Sequence, residues 1–418
     1  MRFFASVRRL FFCLLFVVAL ALSGCGGATT AVTATPPGAG TPMATGSGGA
    51  SPTATTSLIA PPHAFAWFQY DTAHVPQIWA SLNGAAARQI THVAPDHAAC
   101  EDQIAWSPPV FSPDLTHIVA ALGSYQCGDG PLTGPLSIIT VSSGAIATVP
   151  GSAESNAIRT TQRAAGWVNN STIWYINYAG VQTYGVGAGS TTFVSALAGV
   201  RPEEAVLRGS TLFYSYQNPA FGSTPSNQYL RRFDMSAASV LPGTINLGTI
   251  VNCACSAGDY RTPGWDVSVD GAHVVYQVVT PGAGAPEGIS GSSFYYANAD
   301  GSGATRIARY VSTNHLARLL ISPNEALVSM TDVLPSPSVI TASVTSPGAS
   351  GDPNLHFYHP DAFDYPVWKW DSSEFWAASE VTSTSGSSTT NIYAFTVSSS
   401  TSRVGVSNGY NPWYTIGG

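Results

Sequence analysis

The chain has 418 residues, 44% of them hydrophobic and 9% charged, with 16 Lys+Arg against 23 Asp+Glu. That much apolar material excludes a disordered polyelectrolyte, and an acidic chain whose only lysine is Lys369 has no basic footprint for nucleic acid. Abundant Gly, Ser, Thr and Val with little Glu, Lys or Arg points to strands and turns rather than surface helices.

Taken from the N-terminus, Arg2, Arg8 and Arg9 flank an apolar run over residues 10–22. A run of this length is too short to cross a hydrocarbon core of roughly 30 Å, so residues 1–24 read as a signal peptide. Leu22-Ser23-Gly24-Cys25 resembles the bacterial lipobox, which implies that Cys25 is acylated, with palmitate or a similar chain, and becomes the mature N-terminus. Loss of the three arginines, with no acid in residues 1–24, makes the net charge three units more negative than −7. The expected location is the cell membrane of a bacterium, lipid-anchored on the extracytoplasmic side. Residues 25–60 carry the lipidated cysteine and an uncharged Gly/Ala/Thr/Pro/Ser tether that cannot bury a core. As a flexible coil, about 35 residues reach roughly 30–35 Å.

Residues 61–418 show short apolar alternations broken by Gly, Pro, Asn and Asp, the pattern of strands and hairpins. Two pieces recur. The first is strand, tight turn, strand, as in Val110-Phe-Ser-Pro-Asp, Trp167-Val-Asn-Asn, Val206-Leu-Arg-Gly, Val267-Ser-Val-Asp-Gly, Ile321-Ser-Pro-Asn and Trp368-Lys-Trp-Asp. The second is a strand ending in a polar turn and occurs seven times, from Gln77-Ile-Trp-Ala to Asn391-Ile-Tyr-Ala. Six copies against seven leave an unpartnered strand at each end, Phe65-Ala-Trp-Phe-Gln and Asn411-Pro-Trp-Tyr-Thr-Ile. Pairing those two completes seven four-stranded units and closes a ring, which removes exposed sheet edges. The fold class is therefore all-β: a single β-propeller over 61–418, with seven blades expected and six as the alternative.

Phe111-Ser-Pro-Asp, Val267-Ser-Val-Asp-Gly and Ile321-Ser-Pro-Asn, with Asp300-Gly-Ser-Gly between outer strands, resemble the TolB-type, WD40-like (PD40) propeller repeat. The resemblance covers most of the body and implies an envelope propeller. It is a repeat signature rather than an active-site signature, and the copies at Trp167, Val206 and Trp368 lack Ser-Pro-Asp.

The long connections, 123–135, 217–227, 240–262, 280–292 and 346–365, fall on one face of such a ring, and that face is the expected binding surface. Four cysteines of the body suit two disulfides outside the cytoplasm, with Cys100–Cys127 the expected pair and Cys253-Ala-Cys255 a local clip, a redox pair or a metal pair. The densest set of candidate ligands is His356, Tyr358, His359, Asp361 and Asp364; of these, His356, His359 and Asp361 could hold a divalent metal, although an aromatic loop packed on the face is the expected reading. His92, Asp96, His97, Glu101 and Asp102 form a second, sparser group. Lys369 stands where other copies have Ser112, Ser268 and Ser322; it could line the central channel as part of the binding face, with a salt bridge to a neighbouring blade, Asp266 for one, as the expected reading. Gly185-Val-Gly-Ala-Gly leads into a strand rather than a helix, so it reads as a turn.

The resulting expectation is a monomeric binding or scaffold module without enzymatic activity and without a cofactor, presenting its loop-rich face to an envelope protein or glycan. The alternative is a propeller glycosidase or metal-dependent lyase working at the channel mouth. Glu203, Glu204 and Asp266 are the few acids on or beside inner strands, and no pair among them has assignable acid and base roles.

Overall fold

The computed structural model describes residues 60–416 apart from 74, 95–103, 125–134, 153–162, 178, 195–196, 198–199, 201, 219–224, 252–262, 283–288, 309–315, 332–338, 345–355, 358–365, 383–387 and 400. The signal, Cys25 and the tether lie outside these residues.

The described strands form seven blades. Blade 1 runs, from inside outward, Gly409–Ile416, His63–Tyr70, Pro76–Leu82 and Arg88–Gln89. Blade 2 has an interrupted inner strand, Ile104–Trp106 and Val110–Phe111, followed by His117–Ser124, Leu136–Thr140 and Ile146–Thr148. Blade 3 is Ala165–Asn169, Thr172–Asn177, Gly180–Gly185 and Ser190–Phe193. Blade 4 is Pro202–Arg208, Thr211–Asn218, Ser226–Asp234 and an outer edge made by Ser239–Val240 and Ile245–Ile250. Blade 5 is Trp265–Val267, His273–Pro281, Ile289–Asn298 and Thr305–Ala308. Blade 6 is Arg318–Ile321, Leu327–Thr331, Val339–Ser343 and His356–Phe357, and blade 7 is Val367–Trp368, Glu374–Thr382, Ser388–Thr396 and Thr401–Val406. The inner strands touch in order around the ring, blade 7 meeting Gly409–Ile416 of blade 1 and that strand meeting blade 2.

Closure joins the two ends of the propeller. Gly409–Ile416 pairs antiparallel with His63–Tyr70, in register from His63 opposite Ile416 to Gln69 opposite Gly409, with one irregularity between Ala66 and Phe68.

Each junction between neighbouring blades has its own buried cluster. Thr172–Asn177 shows why the sequence reads as it does. Ile173 and Tyr175 point to blade 2 and join Val119, Ile138 and Trp167, while Trp174 and Ile176 point to blade 4 and join Leu212 and Tyr214. A second strand is thus apolar on both faces, because both are covered. Outer strands are not: Ile146–Thr148 and Ser190–Phe193 are exposed throughout. The junction of blades 7 and 1, where the chain closes, is rich in aromatics: Phe65, Trp67, Trp79, Trp376, Tyr410, Trp413 and Tyr414. Gly405 makes room there, since a Cβ on it would stand 2.1 Å from the Trp376 ring.

The tight turns between first and second strands of blades 2, 5 and 6 share one construction. Ser112 Oγ donates to Asp114 (2.6 Å) and accepts from His117 N (3.0 Å). Ser268 does the same with Asp270 (2.6 Å) and His273 N (2.9 Å), and Ser322 with Asn324 (2.8 Å) and Leu327 N (3.0 Å). The residue after the acid or amide has positive φ: Leu115 at 60°, Gly271 at 76°, Glu325 at 56° and Ser372 at 60°. Neighbouring turns also touch: Asp114 N donates to Asn170 (3.1 Å), Arg208 Nε to Ser268 O (3.1 Å) and Asn324 N to Ser372 Oγ (3.0 Å).

One buried acid ties three blades. Asp266, 5% exposed, accepts from Arg163 Nη2 at 2.9 Å just before blade 3 and from Ile321 N at 2.9 Å in blade 6. Arg163 also lies over the Trp265 ring, 5.1 Å from its centre. Removing one partner of such a buried pair strands the other. Asp266→Ala is expected to cost about 3–5 kcal/mol, read as a lower urea midpoint; an unchanged midpoint would contradict the role given to Asp266.

Candidate functional site

The tight-turn construction is repeated, but its side chains are not, and their differences create chemistry. In blade 2 the turn runs Ser112-Pro-Asp114-Leu-Thr116-His117, and Thr116 Oγ1 meets His117 Nδ1 at 2.8 Å. In blade 5 it runs Ser268-Val-Asp270-Gly-Ala272-His273. Alanine has no hydroxyl, so the His273 ring nitrogen is left open. It faces Glu325 instead, which occupies the positive-φ position in the turn of blade 6 where other blades carry Leu115, Gly271 or Ser372.

His273 Nδ1 stands 2.7 Å from Glu325 Oε2. The nitrogen is buried and makes no hydrogen bond, so the two atoms approach off the hydrogen-bonding direction. Asp270 completes the group: one ligand-type atom from each of Asp270, His273 and Glu325 lies within 4.8 Å of the others. Tyr296, on the third strand of blade 5, donates its hydroxyl to Glu325 Oε2 at 2.8 Å and stacks on the His273 ring with centroids 5.0 Å apart.

The electrostatics follow from these contacts. The Ser268 hydroxyl and the Ala272 N–H hold the Asp270 carboxyl below the usual carboxylate range, against a small opposing effect of burial. Burial, the hydrogen bond to Glu325 and the charge of Glu325 push the Tyr296 phenol upward, so it stays protonated and keeps its bond to Glu325. The group therefore combines an ionised carboxylate, a second carboxylate, an imidazole and a protonated phenol, all on strands and turns fixed by their neighbours.

The sequence-derived candidates fall elsewhere. Cys25, Cys100, Cys127, Cys253, Cys255, Tyr358, His359, Asp361, Asp364, Asp96, His97, Glu101 and Asp102 lie outside the described residues. His356 belongs to the outer strand of blade 6, paired with Thr341. His92 Nδ1 meets Gln89 Nε2 at 3.0 Å. Lys369 does not pair with Asp266: its ammonium is 2.9 Å from Asp371, two residues on in the same tight turn, and Asp266 is taken by Arg163. A short turn offers Lys369 a carboxylate at no cost in reach, whereas Asp266 is already enclosed.

The described chemistry thus sits at the tight turns; the long connections expected to form the binding face lie largely outside the described residues. The sequence held a signal for it: two Ser-x-Asp-x-x-His turns differ at the residue before the histidine, Thr116 against Ala272. What one chain does not display is that Glu325, a blade later, stands opposite.

No family model matches the sequence, and no curated protein matches it. Solved structures with similar folds include an oligogalacturonate lyase from Vibrio parahaemolyticus, 8% identical with TM-score 0.47 over 84% of this chain and 87% of that one. They also include the periplasmic gluconolactonase of Pseudomonas aeruginosa, 10% identical with TM-score 0.45 over 85% of this chain and 100% of that one. A third is an acylaminoacyl peptidase from Pyrococcus horikoshii, 8% identical with TM-score 0.47 over 75% of this chain and 48% of that one. At these identities the likeness is one of fold alone, and the TolB-type resemblance remains one of repeats. One expectation is corrected here, that the chain is not an enzyme. The propellers it is similar to are named for a lyase, a lactonase and a peptidase, and the architecture gives no reason to exclude catalysis.

Burial raises the phenols of Tyr175, Tyr214, Tyr216, Tyr276, Tyr296 and Tyr414, so the native state holds protons that the unfolded chain releases above about pH 10. Their contribution is complete below that pH and is lost as pH rises beyond it. Urea midpoints are expected to fall above about pH 10, and to fall less in Tyr296→Phe; a midpoint that holds or rises would contradict this.

Proposed function

We propose that the protein is an extracytoplasmic β-propeller enzyme, tethered to the membrane through lipid on Cys25, that cleaves an envelope glycan by lyase or glycosidase chemistry. The observation that carries the reading is the convergence of Asp270, His273, Glu325 and Tyr296 at the junction of blades 5 and 6. A cluster of ionisable groups in which one is strongly perturbed is the usual mark of acid–base work.

Roles follow from protonation. Tyr296 keeps its proton, which points at Glu325 Oε2 over the 2.8 Å hydrogen bond, and it reaches a leaving sugar oxygen only by turning that hydroxyl away from Glu325. The ionised Asp270 and the imidazole stand on the accepting side. Ligand-type oxygens within 4.8 Å are too close for the roughly 6.5–9.5 Å carboxyl separation by which an inverting glycosidase admits water. Elimination, or double displacement through a covalent intermediate, fits the spacing better. A tether of about 35 residues would let such a site work roughly 30–35 Å from the membrane.

The test uses the mature chain from Gly26, incubated with purified envelope polysaccharides and read for new reducing ends and unsaturated products. Tyr296→Phe is expected to lower turnover by about 10²-fold or more. In cells, Cys25→Ser is expected to move the protein from the membrane fraction to the soluble one. A glycan bound but never cleaved, or full turnover in Tyr296→Phe, would overturn the enzyme reading.

A further inference from the structure

We infer that Asp270, His273 and Glu325 form a binding site for a divalent transition-metal ion of the Zn²⁺ type, bridging blades 5 and 6. The inference takes its location from the proposed function but stands on separate observations. His273 Nδ1 and Glu325 Oε2 lie 2.7 Å apart off the hydrogen-bonding direction, and an oxygen of Asp270 lies within 4.8 Å of both. Tetrahedral Zn²⁺ with bonds of roughly 2.0–2.2 Å sets its ligand atoms about 3.4 Å apart. The three atoms here, separated by between 2.7 and 4.8 Å, reach that spacing by side-chain adjustment alone. One imidazole with two carboxylates suits a transition ion better than Ca²⁺ or Mg²⁺, which favour oxygen ligands only.

The supporting contacts are those a metal site needs. Tyr296 donates to Glu325, fixing the carboxylate as an outer partner does, and stacks on the His273 ring. Ser268 Oγ at 2.6 Å and Ala272 N at 2.9 Å both bond to Asp270 Oδ1, leaving its other oxygen for an ion. Blade 2 supplies an internal contrast. There the same frame holds Asp114 and His117, but Thr116 Oγ1 takes up the histidine nitrogen at 2.8 Å and also bonds Asp114 at 2.8 Å. Ala272 is what opens the site in blade 5.

That contrast gives a test that leaves all three ligands in place. Ala272→Thr copies the turn of blade 2, so it is compatible with the fold, and its hydroxyl is expected to cap His273 Nδ1. The mature chain, stripped with chelator and dialysed, is titrated with ZnCl₂ by calorimetry and by thermal melting. The wild type is expected to bind one ion with a rise in melting temperature that grows with Zn²⁺ concentration. Ala272→Thr and the near-isosteric Glu325→Gln are expected to bind about tenfold or more weakly, with Ca²⁺ weak in every case. Circular dichroism confirms that each variant is folded. No saturable binding by the wild type, or undiminished binding by both variants, overturns the site. Glycan cleavage by a protein that binds no Zn²⁺ would sink this inference and keep the proposed function; Zn²⁺ binding without cleavage would do the reverse.

Discussion

A ring has no ends only if its ends pair, and every other feature of this protein depends on the pairing of Gly409–Ile416 with His63–Tyr70. Without it, blade 1 loses its inner strand and two open sheet edges face water. The aromatic junction of blades 7 and 1 would open with it, because Tyr410, Trp413 and Tyr414 belong to the closing strand and pack on Phe65, Trp67 and Trp376. Closure also fixes the angle at each of the other junctions, since seven blades must share one turn around the axis. Side chains at the junctions are consequently held from both sides.

This constraint explains why the chemistry is found at the tight turns. The turns of blades 2, 5 and 6 are each locked internally by a serine–aspartate or serine–asparagine bond and touch the turn of a neighbouring blade. A repeat that fixes backbone positions so firmly can vary its side chains freely, and between blades 5 and 6 the variation brings together an imidazole, two carboxylates and a phenol. Glu325 illustrates the cost. A non-glycine residue at φ 56° is held there by the turn around it, and the same backbone position accepts Leu115 in blade 2 and Ser372 in blade 7.

Much of the architecture was legible in the sequence because it is periodic. The Ser-x-Asp turns, the two recurring strand pieces and the lone strands at Phe65 and Asn411 each reflect a local rule: turn chemistry, alternation, or the need to cover an edge. Thr172–Asn177 is apolar on both faces, because blades stack on both sides of it. The site was not legible, because it depends on differences between copies rather than on their likeness. Thr116 against Ala272 is one hydroxyl, and its meaning appears only when Glu325, from the following blade, is set opposite His273. Lys369 went astray for a related reason: a distant acid at a matching ring position was favoured over Asp371, two residues away. Sequence spacing shows which residues share a turn, but not which buried acid has already been claimed by a residue such as Arg163.

Hydrogen exchange read by mass spectrometry on the intact mature chain tests the closure most directly. Amides of residues 409–416 are expected to exchange as slowly as those of 63–70 and 76–82, because the three segments are successive strands of one blade in a closed ring. Exchange across 409–416 at the rate of a free chain end, with 76–82 still protected, would show that the terminal strand does not complete blade 1 and would contradict the account.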